Sequence, residues 1–95
     1  MFDDAVAVKP LRTTCTQNIL ITDCKVIYGV GMSIGSVPPN LGINCVNNIT
    51  IRNIDFQWPL KAIYLKSNPG VNGRGLISNI LYENIKITNA ITWAI

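Results

Sequence analysis

Apolar and polar side chains alternate along three stretches of the chain that resemble one another. They are Asn18-Ile-Leu-Ile-Thr-Asp-Cys-Lys-Val26, Asn48-Ile-Thr-Ile-Arg-Asn-Ile-Asp-Phe56 and Asn79-Ile-Leu-Tyr-Glu-Asn-Ile-Lys-Ile87, offset by 30 and 31 residues. Ile19 and Ile21, Ile49 and Ile51, and Ile80 and Tyr82 mark a strand with one buried face. The alternation slips at Asp23, Asn53 and Asn84, then resumes with Cys24 and Val26, Ile54 and Phe56, and Ile85 and Ile87. Asn and Asp tolerate left-handed backbone, so the slip predicts a bend at a shared position. A repeat of this period indicates a solenoid. Stacked at the inter-strand spacing of about 4.8 Å, the copies bring like residues into ladders. The expected fold is therefore all-β: a right-handed parallel β-helix of about three turns, with no long helix through 18–26. Its inward ladders include Ile19/Ile49/Ile80 and Cys24/Ile54/Ile85. The hand follows from the right-handed crossover between parallel strands.

A shorter alternating stretch precedes each phrase. It runs through Val6 to Lys9, Met32 to Gly35 and Ile63 to Lys66, and starts again at Trp93. Its inward columns are Val6/Met32/Ile63/Trp93 and Val8/Ile34/Leu65/Ile95. Its outward columns are Ala7/Ser33/Tyr64 and Lys9/Gly35/Lys66. An unbroken register sets Asp4 beside Val30. Segments 10–14, 36–44 and 67–75 carry Pro38-Pro39, Asn68-Pro69-Gly70, Gly73 and Gly75, which are loop signals. They flank the outward face and can wall a groove there.

Composition narrows the class. With 48% hydrophobic and 14% charged residues the chain is not disordered, and its 95 residues make one domain or part of one. No apolar run approaches the roughly 18 residues of a membrane span. Met1-Phe-Asp-Asp4 lacks the basic and apolar regions of a signal peptide. A net charge of +3 is compatible with a polyanion, but so small an excess commonly serves solubility. No nucleic-acid or membrane partner is expected, and nothing bears on oligomeric state.

Three cysteines and no histidine make a zinc site unfavourable. No metal or cofactor is expected. Cys15 and Cys45 sit three residues before the Asn that opens their phrases, and Cys24 aligns with Ile54 and Ile85. All three read as small buried hydrophobes in inward columns. A Cys15–Cys45 bridge is imaginable between ladder neighbours, but in-register parallel strands aim both sulfurs the same way. Asn48-Ile-Thr50 is a glycosylation sequon whose place at the start of a core strand argues against its use.

The adjacent pair Asp3-Asp4 is the one acidic cluster in the sequence. Carboxylates at the edge of a groove can act as acid and base in glycoside hydrolysis, although paired Asp also suits a turn. The order Asp3-Asp4-Ala-Val-Ala-Val-Lys9, Gly29-Val-Gly-Met-Ser-Ile-Gly-Ser-Val37, then Ile63-Tyr-Leu-Lys-Ser-Asn-Pro-Gly70, interleaved with the Asn-Ile phrases, closely resembles glycoside hydrolase family 28, the polygalacturonases. The resemblance covers essentially the whole chain. It implies a pectin-lyase-like β-helix that hydrolyses pectic galacturonan with inversion, outside the cell. It implies that Asp3 protonates the leaving oxygen. Asp4 would activate water together with an Asp from an upstream Asn-Thr-Asp motif.

The sequence departs from the family pattern at three points. The upstream Asp motif is not in the chain. The Gly-His-Gly position reads Gly29-Val30-Gly31, so Val30 stands where the family has histidine. The Arg-Ile-Lys position reads Tyr64-Leu65-Lys66: Lys66 keeps one cation for a galacturonate carboxylate, the bidentate arginine fork is lost, and Tyr64 can stack on a sugar ring. The expectation is a fragment, residues 1–95, of a longer β-helix glycosidase domain, truncated at both ends and with a degenerate site. Its open edges should make the isolated chain aggregation-prone or only marginally folded. A non-catalytic carbohydrate-binding or structural β-helix is the alternative. A calcium-dependent lyase of the same fold finds little support in a single Asp pair.

Overall fold

The computed structural model describes residues 4–38, 40–67, 73 and 75–92. Six strands follow one another: β1 (Asp4–Val8), β2 (Thr16–Ile27), β3 (Gly31–Val37), β4 (Cys45–Gln57), β5 (Ile63–Ser67) and β6 (Leu76–Thr88). There is no helix among the described residues. The chain alternates between two parallel sheets, ordered β1-β3-β5 and β2-β4-β6. This all-β arrangement is the one the repeat predicts.

The ladders fall where the alternation places them. Ile19, Ile49 and Ile80 are in register, as are Cys24, Ile54 and Ile85. In the short sheet Val6 pairs with Met32 and Met32 with Ile63, while Val8 pairs with Ile34 and Ile34 with Leu65. Trp93 and Ile95, the expected next members of these columns, lie outside the described residues. The middle strands are covered on both sides. Ile49, Ile51, Ile54 and Phe56 of β4 are therefore fully buried, whereas their counterparts in β2 and β6 are half-buried. In the short sheet Met32 and Ile34 of β3 are fully buried and Val8 of β1 is buried. Leu65 of β5, expected inward, is exposed because no described strand covers it. Tyr82 of β6 joins the sheets by donating its phenol to the Met32 carbonyl at 2.9 Å. Burial pushes the Tyr82 hydroxyl up to about 12.

Each long strand bends where the slip in alternation lies: Asp23, Asn53 and Asn84 have φ of 59°, 57° and 53°. Two further left-handed positions repeat in every copy, Asn18/Asn48/Asn79 and Tyr28/Trp58/Asn89. Stacked asparagines bond along the ladder, Asn48 Nδ2 to Asn18 Oδ1 at 2.7 Å and Asn84 Nδ2 to Asn53 Oδ1 at 2.8 Å.

The bend at Asn48 corrects the cysteine reading. Period-two alternation carried straight through that residue places Cys45 inward. The left-handed residue resets the parity, so fully buried Val46 takes the core position instead. Cys15 and Cys45 form a disulfide with their Cα atoms 4.6 Å apart, within the usual range for a bridge. Cys15 precedes the first ladder pair, Thr16 with Val46, so its backbone is not held to the orientation of a paired strand. Cys24 is free and half-buried in its expected column.

Candidate carbohydrate-binding face

The outward side of the short sheet gathers the polar candidates. In-step pairing would have put Asp4 beside Val30. Asp4 instead pairs with Gly31, and Val6 with Met32, so β1 carries one extra residue, Ala5. A bulge of this kind re-aims the side chain next to it. It turns Asp4 to the side of Ser33, the outward residue of β3. Val30 is half-buried just before β3 and takes no part in this pairing.

Asp4 Oδ2 accepts from Ser33 Oγ at 3.2 Å and from Lys66 Nζ at 3.2 Å. The Asp4 side chain is 12% exposed and that of Lys66 37%. Lys66 Nζ also approaches the Tyr64 hydroxyl at 3.5 Å and lies 5.1 Å from the centre of its ring. A second ammonium, that of Lys61, lies 5.7 Å from the same centre. The face thus brings together Asp4, Tyr64 and Lys66 from the sequence-derived set. It adds Lys61 and, as a fully buried support that donates to Asp4, Ser33, both of which sequence reasoning missed as site residues. Ser33 was legible as the outward neighbour of Tyr64. Lys61 lies in an irregular link, where alternation predicts no direction. Asp3 lies outside the described residues.

Two glycines of β3 let its neighbour close in. Gly31 has φ +108°, and a Cβ there would come within 2.4 Å of the Lys61 and Ala62 carbonyl oxygens. Gly35 has φ +118° and sits equally close to the Lys66 carbonyl. Both contacts are made by residues adjoining or belonging to the Lys61–Tyr64–Lys66 group. Close packing of β5 on β3 therefore fixes where those side chains start.

Chemically, the face offers a carboxylate oriented by two donors, a half-exposed ammonium and a phenol ring. Such a set can bind a sugar through its ring and an acidic group through its cations. No group of three or more His, Cys, Asp or Glu able to hold a metal occurs among the described residues. An apolar cavity of about 470 Å³ that shares Tyr64 with this face opens between β5 and β6, lined also by Ile63, Leu65, Ile80 and Tyr82.

The model of the family described as glycosyl hydrolases family 28 matches residues 1–95. An alpha-L-rhamnosidase rgxB of Aspergillus niger is 30% identical over 92% of the chain and 22% of its own length. A polygalacturonase of Fusarium fujikuroi is 32% identical over 98% of the chain and 23% of its own length. An exopolygalacturonase X-1 of Emericella nidulans is 31% identical over 98% and 23%. The chain spans less than a quarter of the length of these curated relatives. No solved structure gives a significant match.

Proposed function

The chain belongs to glycosyl hydrolases family 28, and from that premise we propose that it forms the catalytic-face portion of a pectin-directed hydrolase acting on galacturonan by inversion. The portion is a right-handed parallel β-helix of about three turns within a longer domain. The carrying observation is the convergence of Asp4, Ser33, Tyr64 and Lys66 from three successive strands on one outward face. Asp3 is the proton donor to the leaving oxygen, and Asp4 orients the attacking water. Lys66 attracts the substrate carboxylate and Tyr64 stacks on a sugar ring. Val30 replaces the family histidine, and the polar partner of Asp4 is Ser33 instead. The Cys15–Cys45 disulfide fits an oxidising, extracellular compartment, which is where pectin lies.

An inverting glycosidase needs its acid and base about 6.5–9.5 Å apart, with a water between the base and the sugar. By family resemblance, part of that water activation falls to an Asp of an Asn-Thr-Asp motif that these 95 residues do not include. The 95-residue chain by itself should therefore release no reducing ends from polygalacturonate at a useful rate. A version extended with upstream turns should do so, and Asp3→Asn should abolish it, while Lys66→Ala should mainly raise KM. Val30→His with Tyr64→Arg should raise activity if the site has decayed. Full activity without these changes makes Val30 and Tyr64 parts of a working variant site. Cleavage of an aryl α-L-rhamnoside in place of polygalacturonate overturns the galacturonan assignment.

One observation favours a second reading. Asp4 and Lys66 are paired with each other, as suits a non-catalytic carbohydrate-binding face. Binding of oligogalacturonide by the extended version, with no hydrolysis in wild type or in the Val30→His, Tyr64→Arg variant, would select it.

A further inference from the structure

We infer that Lys61 is a specificity-determining residue of this face: with Lys66 it flanks Tyr64 and holds the carboxylate of an acidic sugar stacked there. This rests on the galacturonan reading above.

Two ammonium groups lie over one phenol ring, Lys61 at 5.7 Å and Lys66 at 5.1 Å from its centre. Both are inside the roughly 6 Å range of a cation–π contact. Their charges are in different states. Lys66 is engaged by Asp4 at 3.2 Å. Lys61 meets no carboxylate among the described residues. An incoming carboxylate must compete with Asp4 for Lys66, but finds the charge of Lys61 uncompensated. Lys61 therefore supplies the larger share of the attraction.

Lys61 is also placed rather than loose. Its carbonyl packs against Gly31 Cα, at a distance that no Cβ would tolerate. The flanking backbone is tied down on both sides, Leu60 N to Gly29 O at 2.8 Å and Met32 N to Ala62 O at 2.9 Å. A half-buried lysine on a fixed backbone loses less freedom on binding than one on a loop. Tyr64 supplies a flat apolar surface that any pyranose can use. The lysine pair adds a term that only a uronate can use, so it sets which sugar the face prefers.

The test measures binding of trigalacturonate and of its carboxyl-reduced, neutral counterpart to the 95-residue chain by calorimetry, at a concentration where light scattering shows it unaggregated, with circular dichroism as the folding control. Lys61→Gln should weaken trigalacturonate about tenfold, as expected for loss of one charge-assisted contact, and leave the neutral trisaccharide unchanged. Lys61→Arg should restore most of the loss, since it keeps the charge and the ring contact. Lys25→Gln, on β2, should change neither. The Lys61-dependent part should shrink with added salt. Unchanged trigalacturonate affinity in Lys61→Gln overturns the inference while leaving the galacturonan reading standing. Equal losses for both sugars also overturn it, since they mark Lys61 as structural. A wild-type chain that binds the neutral sugar as tightly as the acid overturns the galacturonan reading, and Lys61 falls with it.

Discussion

The two sheets come from one repeat and differ in regularity. β2, β4 and β6 are 12, 13 and 13 residues long, bend at the same left-handed positions and stay in step throughout. β1, β3 and β5 are 5, 7 and 5 residues long, and the register shifts at both of their interfaces. Of the nine buried hydrophobic side chains among the described residues, five lie in the long sheet and three in the short one. The short sheet holds the charge pair and the Tyr64 ring, and the link before β5 adds the second cation, Lys61. Stacking enforces regularity wherever each turn repeats the last. One extra residue breaks it locally, and here that break is what turns Asp4 to face Ser33 and Lys66. Irregularity in a solenoid thus marks the strands whose side chains are aimed rather than merely packed.

The strongest way to break this comparison is truncation in each sheet. Phe56 of β4 is fully buried, while Leu65 of β5 is 58% exposed. Phe56→Ala should cost about 3–5 kcal/mol, and Leu65→Ala under about 1 kcal/mol, read from urea unfolding. Equal losses would mean that the long sheet is not the principal scaffold. Next in size is Gly31→Ala, whose Cβ would meet the Lys61 and Ala62 carbonyls at 2.4 Å on a backbone with φ +108°. It should cost about 2 kcal/mol or more. The damage should stay between β3 and β5, as faster exchange of the Met32 amide, which donates to Ala62. Unchanged exchange there would show that the close approach is not needed.

The bends sharpen the comparison from the other side. Asn53 sits at φ 57° and accepts from Asn84 at 2.8 Å. Asn53→Ala should cost about 1–2 kcal/mol through the left-handed penalty and the lost ladder bond. Asn53→Gly should cost less, because glycine removes the penalty. If both variants lose equally, the amide ladder and not the bend is what matters.

Legibility in the sequence follows the same division. The inward columns and the bend at Asp23, Asn53 and Asn84 were readable, because alternation slips visibly there. The bend at Asn18, Asn48 and Asn79 was not, because it sits at the head of the phrase with too few strand residues before it to expose the slip. Missing it misplaced Cys15 and Cys45 by one parity step and turned a disulfide into two core residues. Tyr28 and Trp58 carry no chemical sign of left-handed backbone, so that corner had no signal beyond Asn89. On the short sheet, alternation found Ser33, Tyr64 and Lys66 as outward residues but could not see the extra residue in β1. Family resemblance supplied Asp4 as a candidate; only the structure supplied what Asp4 touches.

Smaller still is the link between the sheets through Tyr82. Burial raises its hydroxyl to about 12 from 10.0, so the folded state holds the proton where the unfolded chain has released it. The stabilisation is complete below pH 10 and is lost as pH rises through the interval to about 12. Tyr82→Phe should abolish this part of the alkaline decline in stability. At neutral pH it should cost about 1 kcal/mol, since the Met32 carbonyl loses its donor. An identical alkaline profile in the variant would detach Tyr82 from it.

The smallest effect should come from the charge pair itself. Lys66 is more than a third exposed, and Asp4 keeps a donor in Ser33 when Lys66 is gone. Exposed pairs contribute at most about 1 kcal/mol, because water screens the attraction and two long side chains must be ordered to form it. A double-mutant cycle of Asp4→Asn and Lys66→Met should therefore give a coupling below about 1 kcal/mol, shrinking further in salt. The same Lys66→Met change should weaken trigalacturonate binding by a larger factor than it weakens the fold, because the incoming carboxylate meets the ammonium with part of its water removed. A coupling of several kcal/mol would place Asp4 and Lys66 with the scaffold, and the short sheet would then be a second structural layer instead of a binding face.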